Sequence, residues 1–297
     1  DLYWASRGGG GGNFGVATSF TLATHPAASV SLFTVHWPWA AASQVLGGWL
    51  DWAPFAPDAL WSNCLLLTSP GTTGPPSVKV TGVFGGTTGA LSGLLAGLLA
   101  AVGTSPTSQT LSSTSYLGAM MIEAGCGGLS VAQCHLPSQN RAGLLTRSSF
   151  GAKSSFVNVA LPNAGLAAAT SAVNALQAMP GASGGLNIDS WGGAINRVPA
   201  GSTAFVHRSS LASIQYSASW AVNASASTVA ANQAWLASAA ASMAPYVSSE
   251  AYQNYIDPTL LGWETDYYGS NLARLMAVKA TYDPDQVFRF AQSIPPA

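Results

Sequence analysis

Several groupings in this chain have the residue types and spacings that chemistry uses, and most of them fail on context. Gly181-Ala182-Ser183-Gly184-Gly185 spells the G-x-S-x-G of an acyl-transfer nucleophile. A nucleophile elbow needs a strand before its serine, whereas this run follows a helical pattern and Pro180, so the motif is not read as catalytic. Gly10, Gly12 and Gly15 meet the G-x-G-x-x-G spacing of dinucleotide folds. Ala17 to Leu22, however, alternates and reads as β-prone, where a pyrophosphate site would need a helix N-terminus. These glycines instead let a backbone pass close to something flat or bulky. Cys126, Cys134 and His135 lack a fourth ligand at metal spacing, and His25, His36 and His207 are scattered, so no metal centre is expected. For Cys126 and Cys134, a disulfide across a short Gly-rich loop and a pair of reduced thiols both stay open. Cys64, inside the apolar run Trp61 to Leu67, reads as a buried, inert thiol.

What remains is a set of side chains at period two on strand-like segments. Asp189 and Trp191 share one face of their segment, Ser213 and Gln215 share one face of the next, and both pairs could line a pocket. Taken alone, Asp189 reads as a turn or surface carboxylate, Trp191 as core, Tyr252 and Tyr255 as half-buried strand tyrosines and Lys153 as a solvated cation.

The elements that must position these groups follow from the same patterning. Val30 to His36, Leu60 to Thr68 and Val78 to Phe84 are rich in β-branched or large apolar residues and bounded by Pro or Gly, which predicts strands. Ala40 to Trp52, Leu91 to Ala101, Ala164 to Ala178 and Thr228 to Ala244 predict helices. Strands return at Gly185 to Trp191, Ser202 to His207 and Leu211 to Trp220, the last two close enough for a hairpin. The expected fold class is α+β, an antiparallel sheet with helices on one face. After Pro258 an aromatic stretch leads into a helix through Lys279 and a docked terminal cap, in which Asn271 and Arg274 act as braces.

Composition narrows the partners. Of 297 residues 48% are hydrophobic, enough to fill a core, while 7% are charged against an average of about 25%. A surface covered by Ser, Thr, Asn and Gln suits a secreted protein. The net charge of −1 leaves no basic stripe for phosphates, so nucleic acid is not expected as a partner. Apolar windows such as Leu91 to Val102 fall short of the roughly 20 residues of a membrane span. The opening Asp1-Leu2-Tyr3-Trp4 has neither the charged nor the apolar region of a targeting peptide.

Five segments, in this order, carry a family resemblance: Asp1 to Arg7 with Gly9 to Val16; Trp191-Gly192-Gly193-Ala194-Ile195-Asn196-Arg197-Val198-Pro199; Phe205-Val206-His207-Arg208; Tyr252-Gln253-Asn254-Tyr255; and Tyr268-Gly269-Ser270-Asn271 to Phe288. Together they resemble the berberine bridge enzyme and oligosaccharide oxidase family of FAD-linked oxidases. The resemblance implies that residues 1–22 finish an FAD-binding domain, 23–258 form a substrate-binding domain, and 259–297 return to the FAD domain. It also implies that most of the FAD-binding region, with any residues that bond the flavin covalently, belongs to a separate N-terminal chain or a removed segment.

The family's base falls on Tyr255, with Asp189 as its acidic partner. Gly15, Val16 and Asn254 fall on cofactor-binding positions, and Trp191, Ser213 and Gln215 on substrate-binding ones. The plant alkaloid enzymes carry an acidic residue near the Ser213 to Gln215 position, from which this chain departs. The implied activity is oxidation of a hydroxyl on a sugar or oligosaccharide with release of hydrogen peroxide. A tailoring oxidase of a glycosylated or polyketide metabolite and a non-catalytic carbohydrate-binding protein are the alternatives.

Overall fold

Strict alternation of apolar and polar residues lets a strand bury one face and leave the other free, and this property decides the layers here. The computed structural model describes residues 1–71 and 74–297. Its strands are β1 (Ser29–Trp37), β2 (Leu60–Leu67), β3 (Ser77–Phe84), β4 (Ser108–Ser115), β5 (Ser149–Val157), β6 (Ser183–Ser190) and β7 (Ala212–Trp220). They form one antiparallel sheet in the order β4-β1-β3-β2-β6-β7-β5. The helices are α1 (Leu2–Ala5), α2 (Ala42–Trp52), α3 (Thr88–Val102), α4 (Tyr116–Glu123), α5 (Asn163–Gln177), α6 (Gly193–Asn196), α7 (Ala226–Met243), α8 (Trp263–Tyr268) and α9 (Leu272–Tyr282).

One face of the sheet sends Phe33, Val35, Cys64, Leu66, Val80, Leu186, Ile188, Ile214 and Tyr216 into a core completed by α2, α3, α5 and α7. The register therefore places the polar partners of these residues side by side on the other face. One row crosses the sheet as Thr110, Thr34, Thr81, Asn63, Asp189, Ser213 and Phe156. The next reads Ser108, His36, Lys79, Leu65, Asn187, Gln215 and Ser154. An α+β fold with an antiparallel sheet is what the patterning predicts, and the longer helices α2, α3, α5 and α7 cover one face of it.

A second, smaller core joins the two terminal regions: Trp4 and Ala5, Ala204, Ala251, Tyr267 and Tyr268, Leu275 and Val278, and Ile294. Its polar centre is Lys279, which is fully buried. The ammonium donates at 2.6 Å to the carbonyl of Asn13, to Asp283 Oδ2 and to the carbonyl of Phe288. Asn13 continues the staple, donating to the Gly9 carbonyl and accepting from the Ile294 amide, each at 2.9 Å. The glycine run is ordered by this contact region rather than loose. Gly8 has φ +122°, and a Cβ there would lie 2.1 Å from the Phe205 amide nitrogen.

Three expectations need correction. Residues 17–28 form no strand; Phe20 and Leu22 are exposed, because β-propensity yields a strand only where a partner accepts the ladder. Ser202 to His207 is irregular and makes no hairpin with β7, whose neighbours are β5 and β6. Its backbone groups are taken elsewhere: Ala200, Thr203 and Ala204 carbonyls accept from Asn271, and the Ala204 and Phe205 amides donate to Trp4 and Arg7. Tyr252 and Tyr255 lie on a loop, not a strand. Strands β4 and β5, not anticipated, are the two sheet edges, and both are Ser-rich. Arg274 pairs with Asp1 at 2.5 Å and stacks over Trp4 at 4.0 Å.

Cys126 and Cys134 are disulfide-bonded, and Cys64 is buried and free. No helix among the described residues is long and apolar enough to cross a membrane, and no His, Cys, Asp or Glu group among them could hold a metal.

Two stability outcomes follow. Lys279→Met leaves Asp283 buried without its cation and should cost about 3–5 kcal/mol, read as a lowered midpoint in urea; an unchanged midpoint would refute the staple. Reducing the disulfide, which spans a sequence separation of 8, should cost about 2–3 kcal/mol by loop entropy, read from paired melts with and without reductant.

Candidate active site

The polar sheet face becomes a site because a loop is laid across its β5 end and held from both sides. From the sheet, Ser154 Oγ accepts from the Tyr252 amide at 2.9 Å, and Lys153 donates to Asp257 at 2.5 Å and to Thr259 at 2.7 Å. From the terminal unit, Gln253 donates to the Gly8 carbonyl at 2.7 Å, the Asp257 amide donates to Tyr267 Oη at 2.9 Å, and Gln292 donates to the Asp257 carbonyl at 2.7 Å. Lys153 is thus a structural cation locked in an ion pair. The loop carries Tyr252, Asn254 and Tyr255. Asn254 donates to Tyr252 Oη at 2.8 Å, and the two tyrosine rings meet edge to face at 4.9 Å.

Tyr255 lies within electrostatic reach of Asp189. Burial pushes its phenol above the ordinary value, with the charge of Asp189 and then Tyr252 adding to the effect. Burial likewise raises the Asp189 carboxyl; a hydrogen bond from Asn63, its neighbour in the cross-sheet row, opposes this, and Glu123 at the end of α4 adds to it. The Tyr255 phenol therefore stays neutral, within coulombic range of a carboxyl whose basicity burial increases.

A cleft of about 780 Å³ opens beside Tyr255, lined also by Gln215 and Asn254 and by Phe150, Trp220 and Leu236. Its size lies within the usual ligand-pocket range of roughly 300–1,000 Å³. Apart from the residues lining this cleft, Phe156, Trp191, Phe205, His207 and Tyr252 form one aromatic cluster, and Trp191 lines a separate pocket with Pro54 and Asp58. Trp191, at the end of β6, meets the edge of Phe156 at 5.4 Å and of Tyr252 at 6.0 Å, and tilts against Phe205 at 6.2 Å. Ser213 is buried at 1% exposure and does not line the cleft, whereas half-buried Gln215 does. Gly15 and Val16 stand apart in the exposed stretch before β1, with nothing within 4 Å of a Cβ placed on Gly15.

The structure adds contacts that no sequence motif marks. His207, fully buried, stacks on Phe156 at 4.2 Å and lies 3.1 Å from Glu250 through Nδ1. That contact first, and hydrogen bonds from Asn158 and Ser248 after it, hold the Glu250 carboxyl down to about 2 despite partial burial. The two residues are 43 apart in the chain. Glu123 is equally remote from Asp189, and only the fold brings them near.

The chain is similar to known proteins along its whole length. The profile described as "Berberine and berberine like" matches residues 251–295, which include the Tyr252 to Tyr255 loop and the Lys279 staple. An uncharacterized FAD-linked oxidoreductase of Bacillus subtilis, YgaK, is 32% identical over all of this chain and 59% of its own length. The solved structure of berberine bridge enzyme-like 28 from Arabidopsis thaliana superposes with a TM-score of 0.83 at 26% identity, covering 99% of this chain and 62% of that one. A chitooligosaccharide oxidase shares the fold at a TM-score of 0.81 and 24% identity, covering 100% of this chain and 61% of that one. The chain spans about three fifths of the length of these relatives. The chain thus matches the berberine-like profile through its Tyr252 to Tyr255 loop and its Lys279 staple, and along its whole length it is similar to proteins described as FAD-linked oxidoreductases.

Proposed function

We propose that this chain supplies the substrate wall and the proton-handling groups of an FAD-dependent oxidase that acts on a hydroxyl of a sugar or oligosaccharide. Dioxygen is the electron acceptor and hydrogen peroxide the product. The observation that carries the reading is Tyr255, at the rim of a cleft with both aromatic and amide groups and within coulombic range of Asp189 on the polar sheet face. Sugars present alternating hydroxyls and C–H faces, and Gln215 with the Trp191 and Tyr252 rings offers partners for both. The fold neighbour named for chitooligosaccharides supports the substrate class.

The residues present fit the cofactor as one wall of its site. Asn254 presents an exposed amide at the cleft rim, and the open surroundings of Gly15 and Val16 leave backbone free for a nucleotide portion. FAD, when bound, supplies the two-electron chemistry by accepting a hydride equivalent from the alcohol carbon. The remainder of that site falls to an N-terminal FAD domain, a separate chain or segment, with residues 1–22 and 259–297 completing it and 23–258 forming the substrate domain. The disulfide and the sparse charge favour a secreted protein.

The proton work belongs to this chain. A phenol raised above its usual value of about 10 stays neutral at working pH, so Tyr255 cannot act as a standing phenolate. It accepts the substrate's hydroxyl proton only as it passes its own to Asp189. Raising the Asp189 carboxyl makes it the better acceptor, so burial, which costs stability, serves the reaction.

Tyr255→Phe should slow anaerobic flavin reduction in the full-length protein by about a hundredfold or more; an unaltered rate would remove Tyr255 from the role. Asp189 must be ionised to accept, so wild-type kcat/KM should rise with pH through its elevated pKa. In Asp189→Asn that acid limb should vanish together with most of the rate, whereas a retained limb would assign the titration elsewhere.

A further inference from the structure

Three buried polar atoms around one phenyl ring have no hydrogen-bond partner: Ser213 Oγ, Trp191 Nε1 and His207 Nε2. The ring is that of Phe156. Ser213 is its cross-strand partner between β5 and β7, Trp191 meets its edge at 5.4 Å, and His207 stacks on it at 4.2 Å with planes 20° apart. With Ser213 at 1% and His207 at 0% exposure, bulk solvent does not serve them. Buried polar atoms left this way cost free energy, and native proteins satisfy nearly all of them with protein or ordered water.

The three atoms are chemically complementary. Glu250, which accepts from Asn158 at 2.7 Å, offers only acceptors, so the His207 Nδ1 that faces it at 3.1 Å carries the ring proton. Nε2 is then an acceptor, the Trp191 indole is a donor only, and the Ser213 hydroxyl is both. One water that accepts from Trp191, donates to His207 and bonds Ser213 satisfies the set, and buried waters typically make about three bonds.

The location connects this set to the site. The other cross-strand partner of Ser213 is Asp189, and side chains facing each other across an antiparallel pair stand about 4.5–5.5 Å apart at Cβ. On the far side, the His207 ring has a permanent counter-charge in Glu250, whose side chain is 28% exposed.

We propose that Ser213, Trp191 and His207 bind an internal water that links Asp189 to His207, and that His207, paired with Glu250, holds the substrate's hydroxyl proton during turnover. This rests on the oxidase reading. In the step, the substrate C–H pair leaves as hydride and its O–H bond breaks. Tyr255, Asp189, Ser213 and the water each gain one proton and pass one on, and an N–H bond forms at His207 Nε2. The stored proton is consumed when dioxygen takes up the hydride equivalent and one proton to become hydrogen peroxide. His207, Ser213 and Glu250 are thus positioning and relay groups that never touch the substrate.

The test uses the full-length FAD-loaded protein, with glucose, cellobiose and diacetylchitobiose as probes under anaerobic conditions. A pH-indicator dye reports protons released to the medium as the flavin is reduced. His207→Gln should release one more proton per flavin than the wild type. Ser213→Ala should slow reduction about a hundredfold, with Ser213→Thr, which keeps the hydroxyl, restoring the rate, a rescue that a packing defect would not show. Should His207→Gln not fold, Glu250→Gln replaces it with the same expected release. A crystal structure of the holoprotein should show ordered density within hydrogen-bonding distance of all three atoms. Absent density, or equal proton release and unrescued rates in the variants, would overturn the water relay while the oxidase reading stands. A wild-type flavin that none of the sugars reduces would overturn the sugar-oxidase reading, and the relay with it.

Discussion

The antiparallel register of the seven strands is the constraint on which the remainder depends. Side chains alternate at period two, so the pairing that buries Ile188 and Ile214 under the helices is the same pairing that sets Asn63, Asp189 and Ser213 in a line on the opposite face. A slip of one residue between β6 and β7 would exchange the two sets. The apolar residues therefore specify the position of the polar ones, and the buried face enforces the geometry of a face that contributes little to folding. Asp189 can afford an unfavourable setting because the neighbouring ladders over-determine where it stands.

A sheet alone does not make the site. Tyr255 sits on a loop, and loops are accurate only where their backbone groups are committed. Here the commitments come from two independent bodies: Ser154 and Lys153 on the sheet edge, Gly8, Tyr267 and Gln292 on the terminal unit. The loop acts as a strap between them. Its electrostatic outcome is a phenol whose proton affinity is raised by burial and then by the charge of Asp189, while burial raises that of Asp189 itself.

How much of this could be read from the chain depends on where each signal lies. β1, β2 and β3 announce themselves because they are interior strands with apolar residues on the buried side. β4, written Ser108-Gln109-Thr110-Leu111-Ser112-Ser113-Thr114-Ser115, has almost no apolar period, since an edge strand with a wet face needs none. Residues 17 to 22 show the opposite error, a β-prone run without a partner. Tyr255 has no local mark at all; what singles it out is the resemblance of Tyr252-Gln253-Asn254-Tyr255 to a family motif. The contact of His207 with Glu250 and the influence of Glu123 on Asp189 join residues from different elements, and only tertiary structure creates them. The glycine run was legible in kind, as a close backbone approach, but not in its partner, Phe205.

The buried ammonium of Lys279 has a consequence for how the molecule can be handled. By clasping Asn13, Asp283 and Phe288 it makes residues nearly three hundred positions apart behave as one knot, and Gln292 ties that knot to the strap bearing Tyr255. Affinity tags, fusion partners or trimmed variants that pull on the last turns of the chain are therefore not silent appendages. They act on the same lever that aims the phenol.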